Sequence, residues 1–235
     1  MIREIRVIGW KRLHSWDCLT DMKIFKDRKS AGKLLAKRLQ HFLNDRSTIV
    51  LGIPRGGVVV GKEVAKALKL PLDVIITRKI GAPMQPELAL GALDPDGEVV
   101  WDDKLVSEVG VETDQLKDII RNELDELERR GKVYRQGKQP LNIENKVVIL
   151  VDDGVATGAT TLAAIRFLKR HGAKKLVLAV PVASKEAVDK IIRELGEFGE
   201  VIVLETPEYF QAVGQFYQEF LPVSDAMVIQ YLKNE

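Results

Sequence analysis

The sequence is poor in the residues that staple or metallate a small fold. Its single cysteine, Cys18, excludes an intrachain disulfide and argues against a cysteine-based metal centre. The three histidines, His14, His41 and His171, show no ligand spacing, and His171 beside Gly172 reads as a helix C-terminal residue. No apolar run approaches the ~18 residues of a membrane span, and the opening MIREIRVIGWKRLHSWDC has no signal-peptide apolar core. A cytoplasmic protein with no membrane partner is therefore expected. An excess of one charge is also missing: 36 Lys and Arg stand against 34 acids, for a net charge of +2. That balance gives no support to a protein wrapped by a nucleic-acid polymer, although a local basic pocket remains compatible with it. What is present is ordinary globular composition, 46% hydrophobic and 30% charged over 235 residues, enough for one sizeable domain.

Hydrophobic periodicity supplies the organisation. Residues 27–43 place Ala31, Leu34, Leu35, Leu39 and Phe42 at helical spacing behind a capping Asp27. Thr48–Ile53 reads as a buried strand stopped by Pro54 and Gly56-Gly57, followed by a helix to about Lys69 and a strand from Leu72 to Thr77. Arg78 to Gly97, with three prolines, reads as a long loop or hairpin of the kind that serves as a lid. An amphipathic helix over 113–130 and a basic linker from Gly131 to Gln139 follow. Strands over 146–151, 174–180 and 200–204 then alternate with helices, one ending at His171-Gly172 and one capped by Ser184. The tail from Thr206 is aromatic and ends in a short helix near Ser224. This alternation predicts an α/β fold, a parallel twisted sheet flanked by helices. Met22 heads a cleaner helical sequence than Met1, so residues 1–21 read as an N-terminal extension of a single domain over 22–235.

The chemistry concentrates in Val147-Val-Ile-Leu-Val-Asp-Asp-Gly-Val-Ala-Thr-Gly-Ala-Thr-Thr161. An apolar strand delivers Asp152 and Asp153 at its C-terminal end, where open α/β sheets bind ligands. Gly154 and Gly158 let backbone approach a ligand closely. A helix then begins, so its free N–H groups and positive dipole end face an anion. Thr157, Thr160 and Thr161 add hydroxyls suited to phosphate oxygens, while the two acids suit sugar hydroxyls or a magnesium shell. A nucleoside-triphosphatase loop would need Gly-Lys-Ser/Thr, which is absent. A response-regulator receiver would need a phosphoacceptor Asp after the next strand, where Ala179-Val180-Pro181 stands. A second strand-end loop, Gly52-Ile-Pro-Arg-Gly-Gly57, offers backbone N–H groups and the charged fork of Arg55. A third piece, Thr77-Arg78-Lys79-Ile80-Gly81, leads into the presumptive lid.

Together these stretches closely resemble the type I phosphoribosyltransferases, and most nearly a bacterial and archaeal group known only as predicted phosphoribosyltransferases. The shared segments include Pro54–Val58, Arg78–Pro83, Pro86–Ala89, the Asp152-Asp153-Gly154 loop and the aromatic tail from Glu205 to Tyr217. The resemblance implies a 5-phosphoribosyl-1-pyrophosphate (PRPP) loop of Asp152, Asp153, Gly154, Val155, Ala156, Thr157, Gly158, Ala159, Thr160 and Thr161. It implies pyrophosphate contacts from Arg55, Gly56 and Gly57, in a loop that in this family often contains a cis peptide, and from Arg78 and Lys79 of the third piece. It also implies Mg2+, met by Asp152 and Asp153 through water or substrate, a homodimer, a lid over about 78–100 and a hood from about 205–235.

The expected reaction is transfer of the phosphoribosyl group from PRPP to a nucleobase or related nitrogen acceptor. Arg55 and Lys79 are the candidate leaving-group residues, and Glu87 is the candidate acceptor-assisting carboxylate. Ala156 stands where oxopurine members of the family carry an Asp, which weakens the case for hypoxanthine or guanine without establishing adenine. Tyr209, Phe210, Phe216 and Tyr217 are either a hood that stacks on a planar base or a plug at the core's edge. The alternatives are a non-catalytic regulator that binds PRPP or a nucleotide, and a hydrolase or pyrophosphorylase using water or phosphate.

Overall fold

A computed structural model describes residues 24–233; the extension read over 1–21 lies outside the described residues. In chain order the elements are α1 (Arg28–Arg38), β1 (Thr48–Gly52), α2 (Gly56–Leu68), β2 (Leu72–Val74), β3 (Arg78–Ala82), β4 (Gln85–Leu93) and β5 (Val99–Trp101). Then follow α3 (Asp103–Val109), α4 (Lys117–Arg135), β6 (Val147–Val151), α5 (Ala159–Arg170), β7 (Lys175–Val182), α6 (Lys185–Leu195), β8 (Gly199–Glu205) and α7 (Asp225–Lys233).

Five parallel strands form the main sheet in the order β2-β1-β6-β7-β8. Both faces are covered, which is why β1, β6 and β7 are runs of buried aliphatic residues and not alternating ones. Leu35 of α1, Leu39 just past its end, and Val60, Val64 and Leu68 of α2 pack on one face around Val50, Ile149 and Val177. Ala164, Ile165, Leu168, Val188 and Ile191 of α5 and α6 pack on the other around Ile49, Leu150 and Leu178. The strand order reverses between β1 and β6, and ligands of such sheets bind in the crevice outside the strand ends at that point. Gly52 lies opposite Val151, and Ile53 N–H donates to the Val151 carbonyl at 2.9 Å, so the two candidate loops leave the sheet side by side.

Local sequence sets the helix ends. Asp27 caps α1 reciprocally: its carboxylate accepts from Ser30 N–H at 2.6 Å, and Ser30 Oγ accepts from Asp27 N–H at 3.0 Å. Ser184 caps α6 through Ala187 N–H at 3.1 Å. Of the loop or hairpin read over Arg78 to Gly97, the structure holds the hairpin: β3 and β4, with β5, form a separate antiparallel sheet whose Leu90 packs with Leu116 and whose Ala92 and Val100 pack with Ala163 of α5. Two expectations are corrected. The strand read over 72–77 stops at Val74, short of Thr77. The helix read over 113–130 begins at Lys117 and runs through Gly131 to Arg135, because Tyr134 is buried against Val58, Val59 and Ile76.

Candidate functional site

The two strand-end loops touch. After β1 the chain passes through Pro54 and Arg55, joined by a cis peptide, into Gly56 and Gly57 at the start of α2. No side chain caps this helix, so its first N–H groups face the crevice. A Cβ at Gly57 would lie 2.7 Å from the Val151 carbonyl oxygen and 2.8 Å from Asp152 Cα, so glycine is needed for the approach. After β6, the Asp152 carboxylate turns back to accept Asp153 N–H at 2.8 Å. Burial, and then the Asp153 carboxylate beside it, push the Asp152 carboxyl well above its ordinary range.

Asp153 is held from several directions. Arg28 Nε donates to its Oδ2 at 2.7 Å, and the Tyr217 hydroxyl donates to its backbone carbonyl at 2.5 Å. Burial, followed by the charge of Asp153, raises the Tyr217 phenol far above its usual value, so it stays a hydrogen-bond donor. The rest of the loop is stitched to the start of α6. Val155 N–H donates to the Val182 carbonyl and Ser184 N–H to the Val155 carbonyl, each at 2.9 Å, while Ser184 Oγ donates to the Ala156 carbonyl at 2.6 Å. Ala156 and Thr157 are exposed, and Gly158, with φ of +83°, makes the left-handed step that starts α5. Gly154 lies against the Val213 side chain. Ala159 and Thr160 are half-buried at the first turn of α5. Thr161 is fully buried, with no hydrogen-bond partner for its hydroxyl among the described residues.

Other candidates lie further from this contact. Arg55 is half-exposed and sits 3.6 Å from Asp225 at the start of α7. Arg78 is paired with Glu123 of α4 (Nε–Oε2, 2.6 Å), and Lys79 with Glu87 at 3.0 Å. Glu87 itself is 93% exposed on the β3–β4 hairpin. Of the four tail aromatics, Phe216 is 1% exposed, Tyr217 is buried, and Phe210 packs on the Phe216 ring at 5.2 Å. Only Tyr209 of the four presents most of its ring to solvent, at 78% exposure. Phe216 and Tyr217 therefore belong to the α1–α2 core, the plug reading of the two.

A cavity of about 680 Å³ adjoins the loop at Ala156 and Thr157, between Trp101, Leu105, α5 and α6. Its lining includes neither loop acid nor Arg55, so it flanks the helix-start end of the site. No cluster of three or more His, Cys, Asp or Glu able to hold a metal occurs among the described residues. Asp152 and Asp153 alone fit magnesium in the mode where substrate oxygens and water complete the shell. Sequence reasoning missed Arg28 altogether. It follows a capping Asp at a helix start, and nothing local signals a partner 125 residues away. Among the described residues, no helix is long and apolar enough to cross a membrane.

A family model described as phosphoribosyl transferase domain matches residues 15–194. A provisionally named phosphoribosyl transferase of Mycobacterium tuberculosis (strain H37Rv) is 44% identical over 211 residues, 90% of this chain and 47% of that protein. The chain thus spans about half the length of that relative. The crystal structure of TT1426 from Thermus thermophilus superimposes with a TM-score of 0.71 at 41% identity, covering 89% of this chain and 97% of that one. A shorter match, 50% identical over 44 residues, is to a transcriptional regulator of Methanosphaera stadtmanae, covering 19% of this chain and 22% of the regulator. On its loops, its sheet order and these relatives together, the chain belongs to the phosphoribosyltransferase family.

Proposed function

We propose that the protein transfers the phosphoribosyl group of PRPP to a nitrogen of a nucleobase or related acceptor, releasing pyrophosphate. The observation that carries this reading is the contact of two glycine-lined strand ends at the sheet's switch point, one bearing paired acids and the other an arginine. Asp152 and Asp153 accept hydrogen bonds from the ribose hydroxyls. Backbone N–H groups of Gly154 and of Ala156 to Thr161, with the hydroxyls of Thr157 and Thr160, hold the 5′-phosphate at the start of α5, Val155 N–H being engaged by Val182. Thr161 serves from below, as a buried residue of that first turn. Arg55, Gly56 and Gly57 hold pyrophosphate, and Lys79 and Arg78 reach it by leaving Glu87 and Glu123.

In the reaction the C1–O bond breaks with its electron pair leaving on pyrophosphate, while the acceptor nitrogen gives its lone pair to C1 and sheds its proton. The positive charge on Arg55 and the α2 dipole favour the departing charge. Magnesium, when bound with Asp152 and Asp153 through water or substrate, would neutralise pyrophosphate further. Freed by opening of its pair with Lys79, Glu87 is the candidate to take the acceptor's proton, and Tyr209 the candidate to cover its ring.

Calorimetric titration with PRPP and magnesium tests the first step, and a screen of purines, pyrimidines and pyridine carboxylates for PRPP-dependent pyrophosphate release tests the second. Absence of PRPP binding at millimolar ligand overturns the reading. Tight binding with no turnover across the screen favours a PRPP-responsive regulator instead, a reading supported by the 44-residue match to a transcriptional regulator. A homodimer is part of the proposal, and sedimentation at micromolar concentration checks it.

A further inference from the structure

Arg28 belongs to no phosphate or sugar motif, yet its guanidinium sits at the junction of the loop acids and the C-terminal tail. Its Nε donates to Asp153 Oδ2 at 2.7 Å, and its Nη1 donates to the Leu221 carbonyl at 2.7 Å. The Phe220 ring lies 3.8 Å from Cζ, so the fork is stacked as well as hydrogen-bonded. The tail that supplies these contacts is itself pinned to the residues before α1. Phe25 N–H donates to the Phe216 carbonyl, and Gln218 N–H donates back to Phe25, each at 2.8 Å. The Arg28 and Asp153 side chains are both close to dry, at 11% and 14% exposure. Asp153 Oδ2 is thereby fixed over Gly56, with the Asp152 carboxyl beside it.

We infer that Arg28 is a positioning residue for the phosphoribosyl site: by engaging Asp153 Oδ2 it sets the direction in which this carboxylate meets a ribose hydroxyl. This rests on the phosphoribosyl reading above. Arg28 acts through Asp153, and the tail residues Phe220 and Leu221 hold it in register. The rival is a pair that only staples α1 to the loop. A staple would affect folding and both ligands alike, whereas a positioning residue acts on the sugar and spares pyrophosphate, which is held at Arg55.

The test is calorimetry with PRPP and, separately, pyrophosphate, each with magnesium, on the wild type and on Arg28→Gln, Arg28→Lys, Asp153→Asn and Arg28→Gln/Asp153→Asn. Arg28→Gln is expected to weaken PRPP by about tenfold or more and pyrophosphate by less than about twofold. Arg28→Lys should recover part of the loss, since it keeps the charge and loses the fork. The double variant should bind PRPP no more weakly than Asp153→Asn alone, because one path carries both effects. Unchanged PRPP affinity in Arg28→Gln, or equal losses for both ligands, overturns the inference. If Arg28→Gln does not fold, Phe220→Leu keeps the ion pair and removes its platform. A PRPP loss of about threefold with pyrophosphate unchanged is then expected, and equal affinity for both proteins overturns the inference. A wild type that binds no PRPP overturns the parent reading, a result separate from all of these.

Discussion

A Cβ on Gly56 would lie 1.8 Å from Asp153 Oδ2, in the space that the carboxylate occupies. The arginine loop and the acid loop therefore meet in direct contact at this point. Asp153 cannot retreat freely, because Arg28 and Tyr217 hold its side chain and backbone.

Gly56→Ala is expected to break the Arg28–Asp153 bond and push the two loops apart. Overpacking of this kind costs about 1–3 kcal/mol, so the variant should still fold. Its affinity for PRPP should fall by more than about tenfold, which calorimetry alongside thermal unfolding would read.

Asp152→Asn should move stability and binding in opposite directions. Burial and Asp153 raise the Asp152 pKa in the folded state above its unfolded value. For an acid, that sign means the stability tied to its neutral form is present at low pH and lost as pH rises through the raised pKa. At neutral pH the amide removes this cost, so Tm should rise, by ~2–4 °C for each kcal/mol regained. PRPP binding should weaken as the ribose loses an acceptor oxygen, with pyrophosphate affected less. Melting curves at pH 7 and at pH 4 check the sign, since the gain should shrink at the lower pH.

Asp225 already accepts from Tyr134 Oη at 2.7 Å and from Arg129 at 2.8 Å, leaving Arg55 as its loosest partner at 3.6 Å. Asp225→Asn removes a negative charge near Arg55 and should tighten pyrophosphate by about threefold at low salt, an effect that fades as salt screens it. The cost is weaker anchoring of α7 to α4, on the order of 1 kcal/mol for partly exposed pairs.

Glu126 gives the clearest acid dependence. The Arg129 and Arg130 side chains lower its pKa to about 2, against an ordinary carboxylate value of 4.5. A depressed acid adds stability that is complete above the unfolded pKa and is lost as pH falls through the folded one. The difference in unfolding free energy between wild type and Glu126→Gln should therefore be constant near neutrality, decline below pH 4.5 and vanish near pH 2. Denaturant unfolding across that range measures it.

Some of this protein was readable without its structure because the relevant forces are local. A run such as Val147–Val151 followed by Asp-Asp-Gly and Thr-Gly-Ala-Thr places strand, acids and helix start within fifteen residues, and backbone geometry does the rest. Capping by Asp27 and Ser184, and the left-handed step at Gly158, are local in the same sense. Residues 78–101 were harder. Pro83, Pro86 and Pro95 signal breaks, yet two lie at or beside the hairpin turn and the third follows β4, and the ladder takes up Pro86 through register shifts beside Gly81.

The amino-acid sequence by itself determined the parallel sheet and the two glycine-bearing loops at its strand ends, since each is encoded by contiguous pattern and composition. Only the tertiary structure decided that Arg28, Tyr217 and Asp153 converge, that Arg55 faces Asp225, and that Phe216 and Tyr217 serve the core. Those contacts join residues from 64 to 193 positions apart where side chains bond at the junction of α1, the acid loop and the tail. No periodicity carries such a pairing, because it arises from where packing brings three separate segments together.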